Sequence, residues 1–190
     1  MGETLRFVTS NRGKYEEFRR MGSRFGVEIE MVEASYREIQ SDDLEEIALD
    51  SCRQLAGSLG EGFFLEDAGL FVDSLGGFPG PFSSYVYSTI GNDGILRLLE
   101  GEEDRRARFV SVICHFDGEY HLFRGEVVGK ISTEKRGEAG FGFDPIFVPE
   151  GHTRTFAEMG PKKDLISHRA RSSEIFFRTL AEGSARCCSG

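Results

Sequence analysis

The chain has 190 residues, 39% of them hydrophobic, with 17 phenylalanines and no tryptophan, which is enough to bury a full core as a single domain spanning 1–190. Its formal charge of -9 argues against long nucleic acid as a partner, because that binding depends on cations neutralising many phosphates, while a small anion held by a local cationic pocket or a metal stays compatible. No run of about 18 apolar residues is present to span a membrane and no apolar leader opens the chain, so the expected location is the cytoplasm.

The predicted elements alternate along the chain. Leu5 to Val8 reads as a short strand, and Thr9-Ser10-Asn11-Arg12-Gly13 as a polar turn into a helix that begins near Lys14. Val27 to Val32 reads as a second strand. Ser41-Asp42-Asp43 can cap a helix in which Leu44, Ile47, Ala48, Cys52, Leu55 and Leu59 form one apolar stripe. Phe63 to Leu65 reads as a buried strand that carries Glu66-Asp67-Ala68-Gly69-Leu70 at its end, where ligands gather in α/β sheets. Residues 76–82, rich in Gly and Pro, read as an irregular loop, and Asn92-Asp93-Gly94 as the cap of a short helix through Leu99. Phe109 to Phe116 and Tyr120 to Val128 read as a hairpin joined at Asp117-Gly118, and a last helix is expected from about Ser167 to Leu180. The expected fold is therefore α/β, with a mixed twisted sheet flanked by helices. Cys52, Cys114, Cys187 and Cys188 lack zinc-ligand spacing and are too few for a disulfide framework; the first two read as core residues and the last two as exposed thiols.

Three segments carry candidate chemistry. The turn from Thr9 to Lys14 aims backbone N–H groups and the positive end of a helix outward beside a lysine, an anion site in outline; an ordinary strand-to-helix turn is the plainer alternative. It is not a P-loop, since Val8 stands where the first glycine would fall and Tyr15 where a magnesium-binding hydroxyl would stand. Glu66 and Asp67 follow a very apolar run, where unpartnered carboxylates would be costly and a divalent cation would neutralise them. Because adjacent strand residues point to opposite faces, one of the two is expected to face the ligand. Asp67 is the choice, with Glu38 as a second carboxylate. Finally, Gly140-Phe141-Gly142-Phe143-Asp144-Pro145, followed by Ser167-His168-Arg169, combines a close-approaching backbone, aromatic faces, a carboxylate and a cation, and so suggests a nucleobase pocket.

Taken in order with Glu38-Ile39-Gln40 and Gly77-Phe78-Pro79-Gly80-Pro81-Phe82, these segments resemble the inosine/xanthosine triphosphate pyrophosphatases across nearly the whole chain, from Thr9 to Arg169. The resemblance implies an elongated two-lobed fold with a central cleft, a homodimer, and magnesium-dependent hydrolysis of ITP, dITP and XTP to the monophosphate and pyrophosphate, with one or more Mg2+ per subunit. It places the phosphates at Thr9, Ser10, Asn11, Arg12, Gly13 and Lys14, the metal at Glu38 and Asp67, and the proton acceptor at Asp67. The base falls among Phe141, Gly142, Phe143, Asp144, Lys163, His168 and Arg169. Two positions depart from the pattern: Ala68 stands where many members carry Ser or Thr, leaving only backbone contact there, and Ser51 stands where some carry lysine. A Maf-type pyrophosphatase acting on other nucleotides and a nucleotide sensor that does not hydrolyse are the alternatives. The Phe141 to Asp144 motif speaks against the first, and Lys14, Glu38 and Asp67 against the second.

Overall fold

The computed structural model describes residues 4–187, with side chains described through residue 182. The tail thiols Cys187 and Cys188 therefore lie outside the described side chains. Strands β1 (Thr4–Val8), β2 (Glu28–Val32), β3 (Phe63–Val72), β4 (Pro79–Gly80), β5 (Arg106–Phe116), β6 (Tyr120–Ile131) and β7 (Phe147–Pro149) form a seven-stranded sheet in the order β2-β1-β3-β5-β6-β7, with β4 paired to β3. β1 runs parallel to β2 and β3, while β4 and β7 run antiparallel to β3 and β6, so the sheet is mixed as expected. The helices are α1 (Arg12–Ser23), α2 (Leu44–Leu59), α3 (Ser83–Thr89), α4 (Gly91–Leu98), α5 (Phe156–Met159) and α6 (His168–Cys187). No helix among the described residues is long and apolar enough to cross a membrane.

The chain forms two compact units, and β3, β5 and β6 each run through both. The first contains the chain up to Asp67, Ser111–Gly125 and the chain from Arg169 on. Its core is aromatic: Phe7 of β1 stacks on Phe64 of β3 with ring centroids 4.6 Å apart, and Phe18 of α1 and Phe176 of α6 close around them. The second contains Ala68–Val110 and Glu126–His168, with a core of Leu70, Val72, Ile95, Phe109, Phe147 and Phe156.

Local chemistry fixes the helix ends. Asn11 accepts from the N–H of Lys14 and starts α1, and Asp43 accepts from the N–H of Glu45 and starts α2. The stripe read from the sequence, apart from the half-buried Leu59, is the buried face of α2, joined by Ser51, and both Cys52 and Cys114 are fully buried. The short α5 is held by a complete capping box between Thr155 and Glu158.

The main difference from the sequence reading lies in β3. It does not stop at Leu65 but continues through Glu66 and Asp67 to Val72, because the buried charge of Glu66 is met by tertiary partners and the strand need not end to solvate it. Residues 76–82, expected to be an irregular loop, contain the two-residue strand β4, and they are flanked by a 3-10 turn over Asp73–Leu75 and by α3. The replacement Phe64→Ala is expected to destabilise the protein by about 3 to 5 kcal/mol, as for other fully buried aromatic side chains. Urea unfolding measures this as a lowered midpoint at an unchanged slope.

Candidate active site

Glu66 and Asp67, adjacent on β3, have opposite surroundings. The Glu66 side chain is buried and turns toward α1 and α6. Arg169 Nε donates to its Oε1 at 3.1 Å, the Ser111 hydroxyl donates to the same oxygen at 2.7 Å, and Lys14 Nζ lies 2.9 Å from Oε2. Lys14 Nζ also donates to the Glu66 main-chain carbonyl at 3.0 Å, so the ammonium is held at two points. Arg169 Nη1 reaches Glu17 of α1 at 2.5 Å, and Ser172 lies 2.9 Å from Ser111, completing a buried ionic cluster. Burial by itself would raise the Glu66 pKa, but Arg169, Lys14 and the Ser111 hydroxyl together outweigh it and hold the group down at about 2.

Asp67 is half-buried and lacks such compensation. Burial pushes its pKa up to about 6; Lys14 pulls it down, while Glu38 and Glu66 push it up. The ordinary value of 3.8 is thus left well behind, and a cation placed between Asp67 and Glu38 would reverse the penalty. The chemistry of this donor pair therefore fits a divalent cation that takes two protein carboxylates and completes its shell with water and phosphate oxygens.

A pocket of about 600 Å³ is lined by Val8, Thr9, Ser10, Glu33, Ala34, Ser35, Tyr36 and Glu38. Thr9 and Ser10 of the turn between β1 and α1 thus share one pocket with Glu38. Asn11 is at the same turn, accepting from Lys14 N at 3.0 Å while its own N–H donates to Thr9 Oγ1 at 3.1 Å. Arg12 and Gly13 occupy the first turn of α1. Tyr36 was not singled out by the sequence reading. Burial, then the carboxylates of Asp67 and Glu38, raise its phenol to about 12, so it stays protonated beside them. Its position two residues before Glu38, in a segment that is neither helix nor strand, was the available signal.

The aromatic-glycine segment lies in the second unit. Asp144 Oδ2 accepts from the N–H of Phe141 at 2.9 Å and from Lys163 Nζ at 2.7 Å, with Asp144 and Lys163 both buried. Lys163 Nζ sits 4.9 Å from the centre of the Phe141 ring, and His168 stacks on Phe109 at 4.6 Å with 11° between the rings. Gly140 has φ +78°, and a Cβ there would come within 2.1 Å of Asp144 Oδ2, so glycine lets the turn close on that carboxylate. Phe143 is packed into the core against Tyr87, whereas Phe141 is half-buried. Phe141, Gly142, Phe143, Asp144, Lys163 and His168 thus belong to the second unit, as does Ala68, while Arg169 contributes its guanidinium to the Glu66 cluster of the first. Glu17 and Ser111 escaped the sequence reading; Glu17 shares a helical face with Met21, a carboxylate on an otherwise buried stripe.

A mixed α/β sheet carrying these carboxylates and this lysine-bearing turn has well-matched counterparts. The Ham1 family model matches residues 5–179. The chain is 55% identical over 179 residues to the dITP/XTP pyrophosphatase of Thermococcus kodakarensis, covering 94% of this chain and 97% of that one. It is 53% identical to that of Methanopyrus kandleri, covering 90% and 92%. Among solved structures, a HAM1 protein from Coxiella burnetii superposes with a TM-score of 0.82 at 29% identity, covering 96% of this chain and all of that one. The chain belongs to the Ham1 family.

Glu66 stabilises the fold above its ordinary carboxylate range of about 4.5, and that contribution is lost as the pH falls toward its folded value of about 2. Replacing Arg169 by methionine leaves two buried carboxylates short of a cation and is expected to cost about 3 to 5 kcal/mol near neutrality. The gap from the parent should narrow in acid as the stranded carboxylates take up protons, which denaturant unfolding at pH 7 and pH 3 measures.

Proposed function

We propose that the chain hydrolyses non-canonical purine nucleoside triphosphates, dITP, XTP and ITP, to the nucleoside monophosphate and pyrophosphate, removing them from the nucleotide pool. The observation that carries this reading is the pairing of a half-buried Asp67 with Lys14 and the first turn of α1 in one compact unit, in a chain 55% identical to a dITP/XTP pyrophosphatase. Water attacks the α-phosphorus, and pyrophosphate leaves. Such a displacement needs positioning and charge neutralisation more than covalent help.

Asp67 orients the water and receives its proton; the value near 6 belongs to the metal-free protein, and magnesium between Asp67 and Glu38 would lower it. Lys14, held in place by two oxygens of Glu66, faces the leaving pyrophosphate together with the turn residues Thr9, Ser10, Asn11, Arg12 and Gly13. Glu38 and Asp67 would hold magnesium, which supplies neutralisation of the phosphate oxygens when bound. The purine lies against Phe141, with its polar edge toward Asp144, Lys163 and His168. Hypoxanthine and xanthine present an oxygen at C6 where adenine presents an amino donor, so donors from Lys163 or His168 favour them, by about 1 to 3 kcal/mol for each buried group left mismatched. Arg169 serves the site through Glu66 and Glu17. A homodimer is supported by the exposed apolar side chains of Phe78, Phe82, Tyr85, Ile90 and Leu98, gathered in one stretch of the second unit.

Pyrophosphate release from dITP, XTP, ITP and dATP, each with and without magnesium, tests the reading. Release from the first three only, and only with the metal, is the expected result, and equal rates for dITP and dATP would remove the selectivity. The replacement Asp67→Asn should lower turnover by at least about a hundredfold, the scale of a lost general base, while nucleotide binding persists. A second outcome follows from the raised pKa. In metal-free protein, ionising Asp67 costs stability as the pH climbs from its unfolded value through about 6, a cost that asparagine lacks. The Asn variant should therefore melt higher than the parent at pH 8, and the difference should vanish near pH 4.

A further inference from the structure

The segment that carries the base slot is fastened from a direction the sequence motif does not include. Asn92, the second residue of α4, donates its side-chain N–H to the carbonyl of Gly142 at 3.2 Å, across 50 residues of chain. Gly142 has φ +63°, a left-handed conformation in which its carbonyl is turned by the backbone and not by a strand or helix. One helix earlier, Tyr87 of α3 meets Phe143 edge to face at 5.5 Å. The segment therefore has two sets of fasteners: Asp144, which grips its own turn and Lys163, and the α3–α4 pair, which holds the next two residues.

The Asn92 amide has one orientation that satisfies this contact. Its N–H group faces Gly142 O, so its own oxygen points away, and that oxygen is buried with no hydrogen-bond partner among the described residues. A buried acceptor left unmade is unfavourable, and an apolar side chain of the same size would avoid it. What the amide contributes in return is its donor to Gly142. Lys135 adds a second tie to the same helix start, an exposed ion pair with Asp93 at 2.9 Å.

We propose that Asn92 is a positioning residue for purine recognition: by holding the Gly142 carbonyl it sets the backbone between Phe141 and Phe143, and with it the orientation of the Phe141 face against the base. This inference rests on the reading that the base lies against Phe141. Asn92 touches neither the phosphates nor the water, so its loss acts on substrate binding and spares the chemical step.

Two variants test it, Asn92→Ala, which removes the amide, and Asn92→Asp, which keeps its shape but replaces the donor with an acceptor. Aspartate near the positive end of α4 is favourable to the helix, so a merely structural role predicts little change for it. The expected result is a KM for dITP, ITP and XTP raised about fivefold in both variants, the size of one neutral hydrogen bond, with kcat within about twofold and the same change for ribose and deoxyribose forms. Because aspartate sets a carboxylate oxygen against the Gly142 carbonyl, the melting temperature of Asn92→Asp is expected to fall somewhat, and KM is therefore compared at a temperature at which both variants are fully folded. An unchanged KM in either folded variant overturns the proposal, and so does a fall in kcat that follows lost thermal stability, or failure of both variants to fold. Phe141→Ala runs alongside: if it leaves KM for all three nucleotides unaltered, the base-slot reading itself is wrong, whereas a raised KM in Phe141→Ala with normal Asn92 variants refutes the role of Asn92 alone.

Discussion

A fully buried carboxylate on the central strand β3 cannot stay ionised without partners, and the first unit is organised around supplying them to Glu66. α1 contributes Lys14 and Glu17, β5 contributes Ser111, and α6 contributes Arg169 and Ser172. Each of these elements must therefore reach β3 with a polar residue in register, while their apolar neighbours Phe18, Ile113 and Phe176 pack around Phe64. An isolated buried ion pair is weak support for stability, since desolvation offsets much of its attraction. Here the larger consequence is geometric. The arrangement of α1, β5 and α6 that satisfies the oxygens of Glu66 also holds Lys14 on that residue, near Asp67.

The contrast between neighbouring carboxylates follows from the same strand geometry. Alternation along β3 sends Glu66 toward cations that outweigh its burial, whereas burial of Asp67, opposed by Lys14 and reinforced by Glu38 and Glu66, is left uncompensated, so one is held near 2 and the other near 6. Two acids of similar intrinsic strength are thereby held differently, one bound to fixed cations and the other raised toward neutrality.

Much of this architecture is legible in the chain itself. The hairpin of β5 and β6 announces itself at Asp117-Gly118, and α2 through its Asp43 cap and apolar stripe, because both rest on neighbours in sequence. β3 was read too short because Glu66-Asp67 looks like the end of an apolar strand. Its continuation depends on Arg169, 103 residues away, which no local pattern can show. α3 was missed for a related reason: it follows a Gly- and Pro-rich stretch, has no side-chain cap, and buries only Ser83 and Val86. Likewise the polar turn before α1, the acidic pair and the aromatic-glycine segment are linear motifs and could be found, whereas Glu17 meets Arg169 across 152 positions and Tyr36 gains its meaning only from its burial and the carboxylates near it.

That tyrosine sets a limit on the pocket's charge. Because the ring oxygen keeps its hydrogen until strongly alkaline conditions, the wall it shares with Thr9, Ser10 and Glu38 never gains a further anion within the range where proteins work. The acidic side chains lining that wall are Glu33 and Glu38, and the phenol beside them remains a hydrogen-bond donor.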